Sequence, residues 1–152
     1  MPHPPSDLAN ASAEVKLVDR FFEALEQLDA DAALALMTDD ALYQNVPLPA
    51  ARGKAEVARQ LGVLGRLIDR FEVEAPVYTA SGDTVTARRH DILGGQGFYM
   101  RLWVEGRFVI QDGRIAEWVD TFSWAETGLA LLKSLPQMAR FQLGRLRGAS
   151  KG

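Results

Sequence analysis

A chain of 152 residues, 47% hydrophobic and 24% charged, is long enough for one domain with one sizeable core. Its formal net charge of −3 gives no global basic field for nucleic acid, and no apolar run reaches the length of a membrane span. With no cysteine, disulfides, thiol nucleophiles and cysteine-ligated metals are excluded, a composition that fits the reducing cytoplasm.

The opening MPHPPSDLANASAEV lacks an apolar signal core and reads as a loose tail over residues 1–12. From Val15 to Leu28, the residues Val18, Phe21, Phe22, Leu25 and Leu28 recur at helical spacing, with Ser12 as the N-cap candidate. Asp29 and Asp31 ahead of ALALM suit the first turn of a second, short helix. Ala41–Val46 is a brief strand, stopped by Pro47 and Pro49, and Arg52 and Gly53 belong to a loop. Lys54–Arg70 reads as a third helix with Val57, Leu61, Leu64 and Ile68 on one face.

The period then changes. Phe71–Thr79, Thr84–Leu93, Phe98–Gln111 and Arg114–Phe122 are rich in β-formers, and the turn signals SGD, GGQG and DG separate them. Four long strands joined by short turns make an antiparallel meander. Together with the preceding helices they predict an α+β domain over residues 13–132, its curling sheet enclosing a cavity under the helices. Trp124–Leu132 and Gln137–Leu146 read as further helices split by Pro136, and 133–152 forms a basic helical extension. No acidic residue follows Glu126, so the tail carries +5 and the rest, with 12 basic against 20 acidic residues, carries −8. Cations late in a C-terminal helix oppose its dipole favourably.

Period two sorts the polar residues of the meander. Ala87, Arg89, Asp91 and Leu93 share one strand face, and Arg88, His90 and Ile92 the other; Trp118, Asp120 and Phe122 share a face of the last strand. Charges interleaved with Trp, Phe and Leu on one face are not a solvent pattern. Two carboxylates and one guanidinium in a poorly hydrated site leave a net −1, and arginine keeps its proton. The cheaper state has one aspartic acid protonated. One neutral acid and one carboxylate bridged by Arg89 is what general acid–base catalysis requires, although the charge count does not say which is which. A buried structural Arg–Asp network has the same composition and stands beside that reading.

Tyr43 and Asn45, two apart on a strand, point to the same side and are able to hold a water for an aspartate to deprotonate; a core tyrosine and a turn asparagine are the alternative. Leu48, Leu102, Val104, Phe108, Trp118 and Phe122 are the candidate pocket residues. His90 faces away from the aspartates and His3 lies in the tail, so no metal-ligand spacing is present and no metal or cofactor is expected. The GGQG run lacks the strand–loop–helix setting of a phosphate cradle.

LYQNVPLP (42–49), the R-x-D of Arg89–His90–Asp91 and the W-x-D of Trp118–Val119–Asp120 resemble the limonene-1,2-epoxide hydrolase family, as does the order of elements from Val15 to Phe122. The resemblance implies a cone-shaped fold of the nuclear transport factor 2-like, SnoaL-like type with a deep apolar pocket. It also implies a homodimer and cofactor-free addition of water to a small apolar epoxide. Carried over, Asp120, Asn45 and Tyr43 hold and activate the water, Asp91 protonates the epoxide oxygen, and Arg89 bridges the carboxylates. Val119 stands where the family often has arginine, and Thr121 and Ser123 depart from its DYF-D ending. The long tail is similar to that of mycobacterial-type members, which implies terpene, lipid or steroid-like epoxides bulkier than limonene. Two other readings keep the pocket: a SnoaL-like isomerase or cyclase acting on a carbonyl, and a non-catalytic module binding hydrophobic ligands.

Overall fold

Ser12 opens the first helix, α1 (Ala13–Glu26), in a computed structural model that describes residue 8 and residues 10–122. Its hydroxyl accepts from the Val15 backbone N–H at 3.2 Å, satisfying one of the donors that a helix start leaves unpaired. The stripe Val15, Val18, Phe21 and Phe22 is buried. The helix stops short of the predicted Leu28, which adopts φ 56° and turns the chain into α2 (Ala30–Ala35). Asp29 caps α2, its Oδ1 accepting from the Ala32 N–H at 3.0 Å.

The first strand, β1 (Met37–Val46), begins four residues ahead of the predicted Ala41. A two-residue β2 (Ala51–Arg52), read from sequence as loop, folds back to pair Tyr43 with Ala51 and Leu42 with Arg52. Helix α3 (Lys54–Leu67) hands over early to β3 (Ile68–Ser81), because Ile68 and Arg70 pair with Gly95 and Gly94 instead of extending the helix. The strands β4 (Thr84–Gly95), β5 (Phe98–Gln111) and β6 (Arg114–Phe122) complete the meander. Asp112 and Gly113 both take positive φ, as a tight hairpin turn requires.

The sheet order is β2-β1-β6-β5-β4-β3, curved and mixed: β1 runs parallel to β6 and all other neighbours are antiparallel. Helix α1 packs on β3 and α3 on β1, so both cover one face of the sheet. Between them lies an aromatic core in which Phe21 meets Trp118 edge-on at 4.9 Å and Phe22 meets Phe108 at 5.6 Å. Phe21, Phe22 and Phe108 are fully buried, each stabilising the fold by about 1.5–3 kcal/mol. No helix among the described residues is long and apolar enough to cross a membrane. The helices predicted at 124–132 and 137–146, the extension 133–152 and most of the tail 1–12 lie outside the described residues.

Candidate active site

Alternation along β4 turns Arg89 and Asp91 toward the helices, and β6 does the same for Asp120; the three are 2%, 5% and 3% exposed. The Arg89 guanidinium lies between the carboxylates. Its Nε and Nη2 donate to the two oxygens of Asp91 at 3.0 and 3.2 Å, and Nη1 and Nη2 donate to Asp120 at 3.2 Å. This paired geometry is the strong form of a buried ion contact. Beneath it the Phe22 ring centroid sits 4.8 Å from the guanidinium carbon, a cation–π contact that sequence reading did not assign.

Gly106 of β5 is a second unassigned member. It lies opposite Ala87 on β4 and Asp120 on β6. A Cβ on Gly106 would stand 2.4 Å from Arg89 Nη1 and 2.8 Å from Asp120 Oδ1. Only the absence of a side chain lets the bridge pass over β5 at this height.

Burial pushes the Asp91 carboxyl up to about 6; Arg89 opposes that and the Asp120 charge adds to it. Burial by itself lowers the Arg89 pKa, but the Asp120 and Asp91 charges outweigh it and the net direction is upward. The cluster therefore keeps a permanent cation beside one carboxyl able to exchange its proton near neutral pH.

Tyr43 reaches the same place from β1. Burial, then the Asp120 charge, push its hydroxyl far above the ordinary tyrosine range, so it stays protonated. Asn45 Nδ2 donates to Tyr43 Oη at 2.8 Å. That fills an acceptor site of the hydroxyl and leaves its proton available to donate. Asn45 Oδ1 is buried and has no partner among the described residues. Beside Asp120 the pair thus offers one donor and one acceptor, a set that fits a single water.

Tyr43, Asn45, Asp91 and Asp120 form the polar end of one cavity of about 270 Å³; Arg89, Phe22 and Gly106 lie behind that lining. Its apolar walls include Leu61, Leu64, Phe71, Leu93, Leu102 and Phe122. Of the candidate pocket residues, Leu102, Trp118 and Phe122 line it. Phe108 and Val104 are fully buried and are not lining residues; Phe108 is taken up by the aromatic core. Leu48 is 52% exposed and also outside the lining, because the chain turns away from β1 at Pro47. The walls from α3 and from Leu25 and Leu28 went unassigned. Helical periodicity puts Leu61 and Leu64 on one face, and a cavity under the helices is expected, but periodicity alone does not say that this face lines it.

The limonene-1,2-epoxide hydrolase catalytic domain, as a family model, matches residues 12–135. The chain belongs to the limonene-1,2-epoxide hydrolase family. It is 34% identical over 120 residues to epoxide hydrolase EphG of Mycobacterium tuberculosis H37Rv, covering 78% of each chain. A solved structure of an M. tuberculosis LEH-like epoxide hydrolase superposes with a TM-score of 0.75 at 31% identity, covering 84% of this chain and 95% of that one. The fold alone is shared with an NTF2-like protein of Burkholderia pseudomallei K96243: TM-score 0.70, 19% identity, 78% of this chain and 97% of that one.

Proposed function

We propose that this family member is a cofactor-independent epoxide hydrolase that converts an apolar terpene, lipid or steroid-like epoxide to a vicinal diol in one acid–base step. The observation that carries the reading is the Asp91–Arg89–Asp120 bridge beside Tyr43 and Asn45 at the polar end of an apolar cavity. In the reaction a water is held by Tyr43 donating to it and by Asn45 Oδ1 accepting from it. Asp120 takes its proton as the oxygen attacks an epoxide carbon. The carbon–oxygen bond of the ring breaks, and the leaving oxygen receives the proton of Asp91. One proton has entered the cluster at Asp120 and one has left at Asp91, so the charge is the same before and after. Moving a proton from Asp120 to Asp91 resets the site.

Arg89 keeps both carboxyls in place and prevents two anions from facing each other unshielded in a dry site. The apolar walls exclude bulk water, which strengthens each of these interactions. The reading takes the chain to work as a homodimer in the cytoplasm, which its size in solution and cell fractionation test. The chemistry is tested by incubating the protein with a panel of terpene and lipid epoxides and assaying diol. Diol from wild type, lost in Asp91→Asn and in Asp120→Asn, supports it. Absence of diol from every epoxide, or turnover intact in either variant, contradicts it.

A further inference from the structure

Gly62 and Gly65 stand three residues apart inside α3, and both line the cavity. A helix interior is where glycine is least favourable relative to alanine. Neither has a local reason to be glycine. A Cβ on either meets no heavy atom within 4 Å, and neither takes a positive φ. Gly106 is the contrast, since there a Cβ collides with the ion bridge.

What the two share is position. Among the lining residues the exposed ones are Leu28, Asp29, Gly62 and Gly65, so these four are the mouth. The cavity behind them is about 270 Å³. That lies just below the range of about 300–1,000 Å³ usual for pockets that enclose a drug-sized ligand. On its inner wall Trp118, 4% exposed, carries an indole N–H that has no partner among the described residues. A larger hydrocarbon therefore seats its epoxide only if the remainder leaves through the mouth.

We propose that Gly62 and Gly65 determine specificity by holding the mouth open over α3. An epoxide on a long or multi-ring hydrocarbon then reaches Asp91 and Asp120 while its remainder extends outward. The proposal rests on the epoxide hydrolase reading and refines its substrate class. A leucine at either position projects into the passage without disturbing the packed core. Small epoxides, which fit wholly inside, do not need the gap.

The test compares cyclohexene oxide with methyl epoxystearate on wild type, Gly62→Leu, Gly65→Leu and the two alanine variants. The leucine variants are expected to lose about tenfold or more in kcat/KM for methyl epoxystearate, through KM, and less than about twofold for cyclohexene oxide. The alanine variants are expected to melt a few degrees higher, which reports that the helix tolerates a side chain there. Parallel loss on both epoxides, or no loss on methyl epoxystearate, overturns the proposal. If wild type hydrolyses neither, the epoxide hydrolase reading fails, and the mouth is then read by binding. Dissociation constants from quenching of indole fluorescence should still weaken in the leucine variants for methyl epoxystearate alone. Unchanged values overturn the mouth as well.

Discussion

Asn45 lies directly opposite Asp120 across the one parallel pairing among the described strands, β1 against β6. Two positions earlier on each strand, Tyr43 faces Trp118, with ring centroids 4.0 Å apart. The register thus delivers an amide, a phenol and a carboxylate to one spot, with the phenol ring held by the indole. Tyr43→Phe keeps that ring packing and removes only the hydroxyl. It is expected to lower kcat by about tenfold to a hundredfold, the value of one buried hydrogen bond in the transition state. The melting temperature should fall by a few degrees, because Asn45 Nδ2 loses its acceptor. Steady-state kinetics and thermal melts of the variant check both.

The pH dependence follows from Asp91. Its carboxyl, pushed up to about 6 by burial, is active as an acid only when protonated. The protonated fraction falls as pH rises through that value, so kcat/KM should decline on the alkaline side of about 6, approaching tenfold per pH unit. A kcat/KM profile from pH 5 to about 9 reads it. A rate that climbs across this range would reverse the acid assignment.

Stability carries the same shift with the opposite partner state. The ordinary carboxyl value is 3.8 and the folded value is about 6, so ionising Asp91 costs more in the native protein than in the unfolded chain. The penalty is absent below about pH 4, grows between there and about 6, and is complete above, amounting to about 3 kcal/mol. Asp91→Asn removes it. The variant should therefore gain on wild type as pH rises from 4 to about 7, measured as the difference in melting temperature at each pH.

Gly106→Ala tests the height of the ion bridge. A methyl 2.4 Å from Arg89 Nη1 and 2.8 Å from Asp120 Oδ1 forces the guanidinium or the carboxylate aside. The expected result is a loss of about tenfold or more in kcat with a smaller change in KM, because the cavity walls are untouched. The pH profile should shift as well, since Arg89 no longer screens Asp91 from Asp120. A variant that merely unfolds more easily would keep the wild-type profile in its folded fraction.

The buried polar face of the candidate site was legible in the sequence because it obeys a local rule. Arg89 with Asp91, and Trp118 with Asp120, are two apart on strands, and period two puts each pair on one side. The cap at Ser12 and the meander turns are likewise short-range, and they match the structure. What escaped depends on contacts remote in sequence. Gly106 has no periodic signature, and its role is set by register against β4 and β6. Phe22 looked like any core residue of α1 until its ring came to rest beneath Arg89. Met37 joins β1 across a register irregularity, with the exposed Asp39 and Asp40 inside the strand, so the strand starts ahead of the predicted Ala41. Leu48, a candidate pocket residue, is carried outward by the turn after Val46 and is 52% exposed.

In the proposed reaction water attacks the epoxide directly, activated by Asp120, with no covalent ester on a carboxylate. A single turnover in water enriched in heavy oxygen, with protein in excess over epoxide, tests it most directly. Direct attack predicts a diol carrying one heavy oxygen in that first turnover. An unlabelled diol, its new oxygen drawn from Asp91 or Asp120, would contradict it.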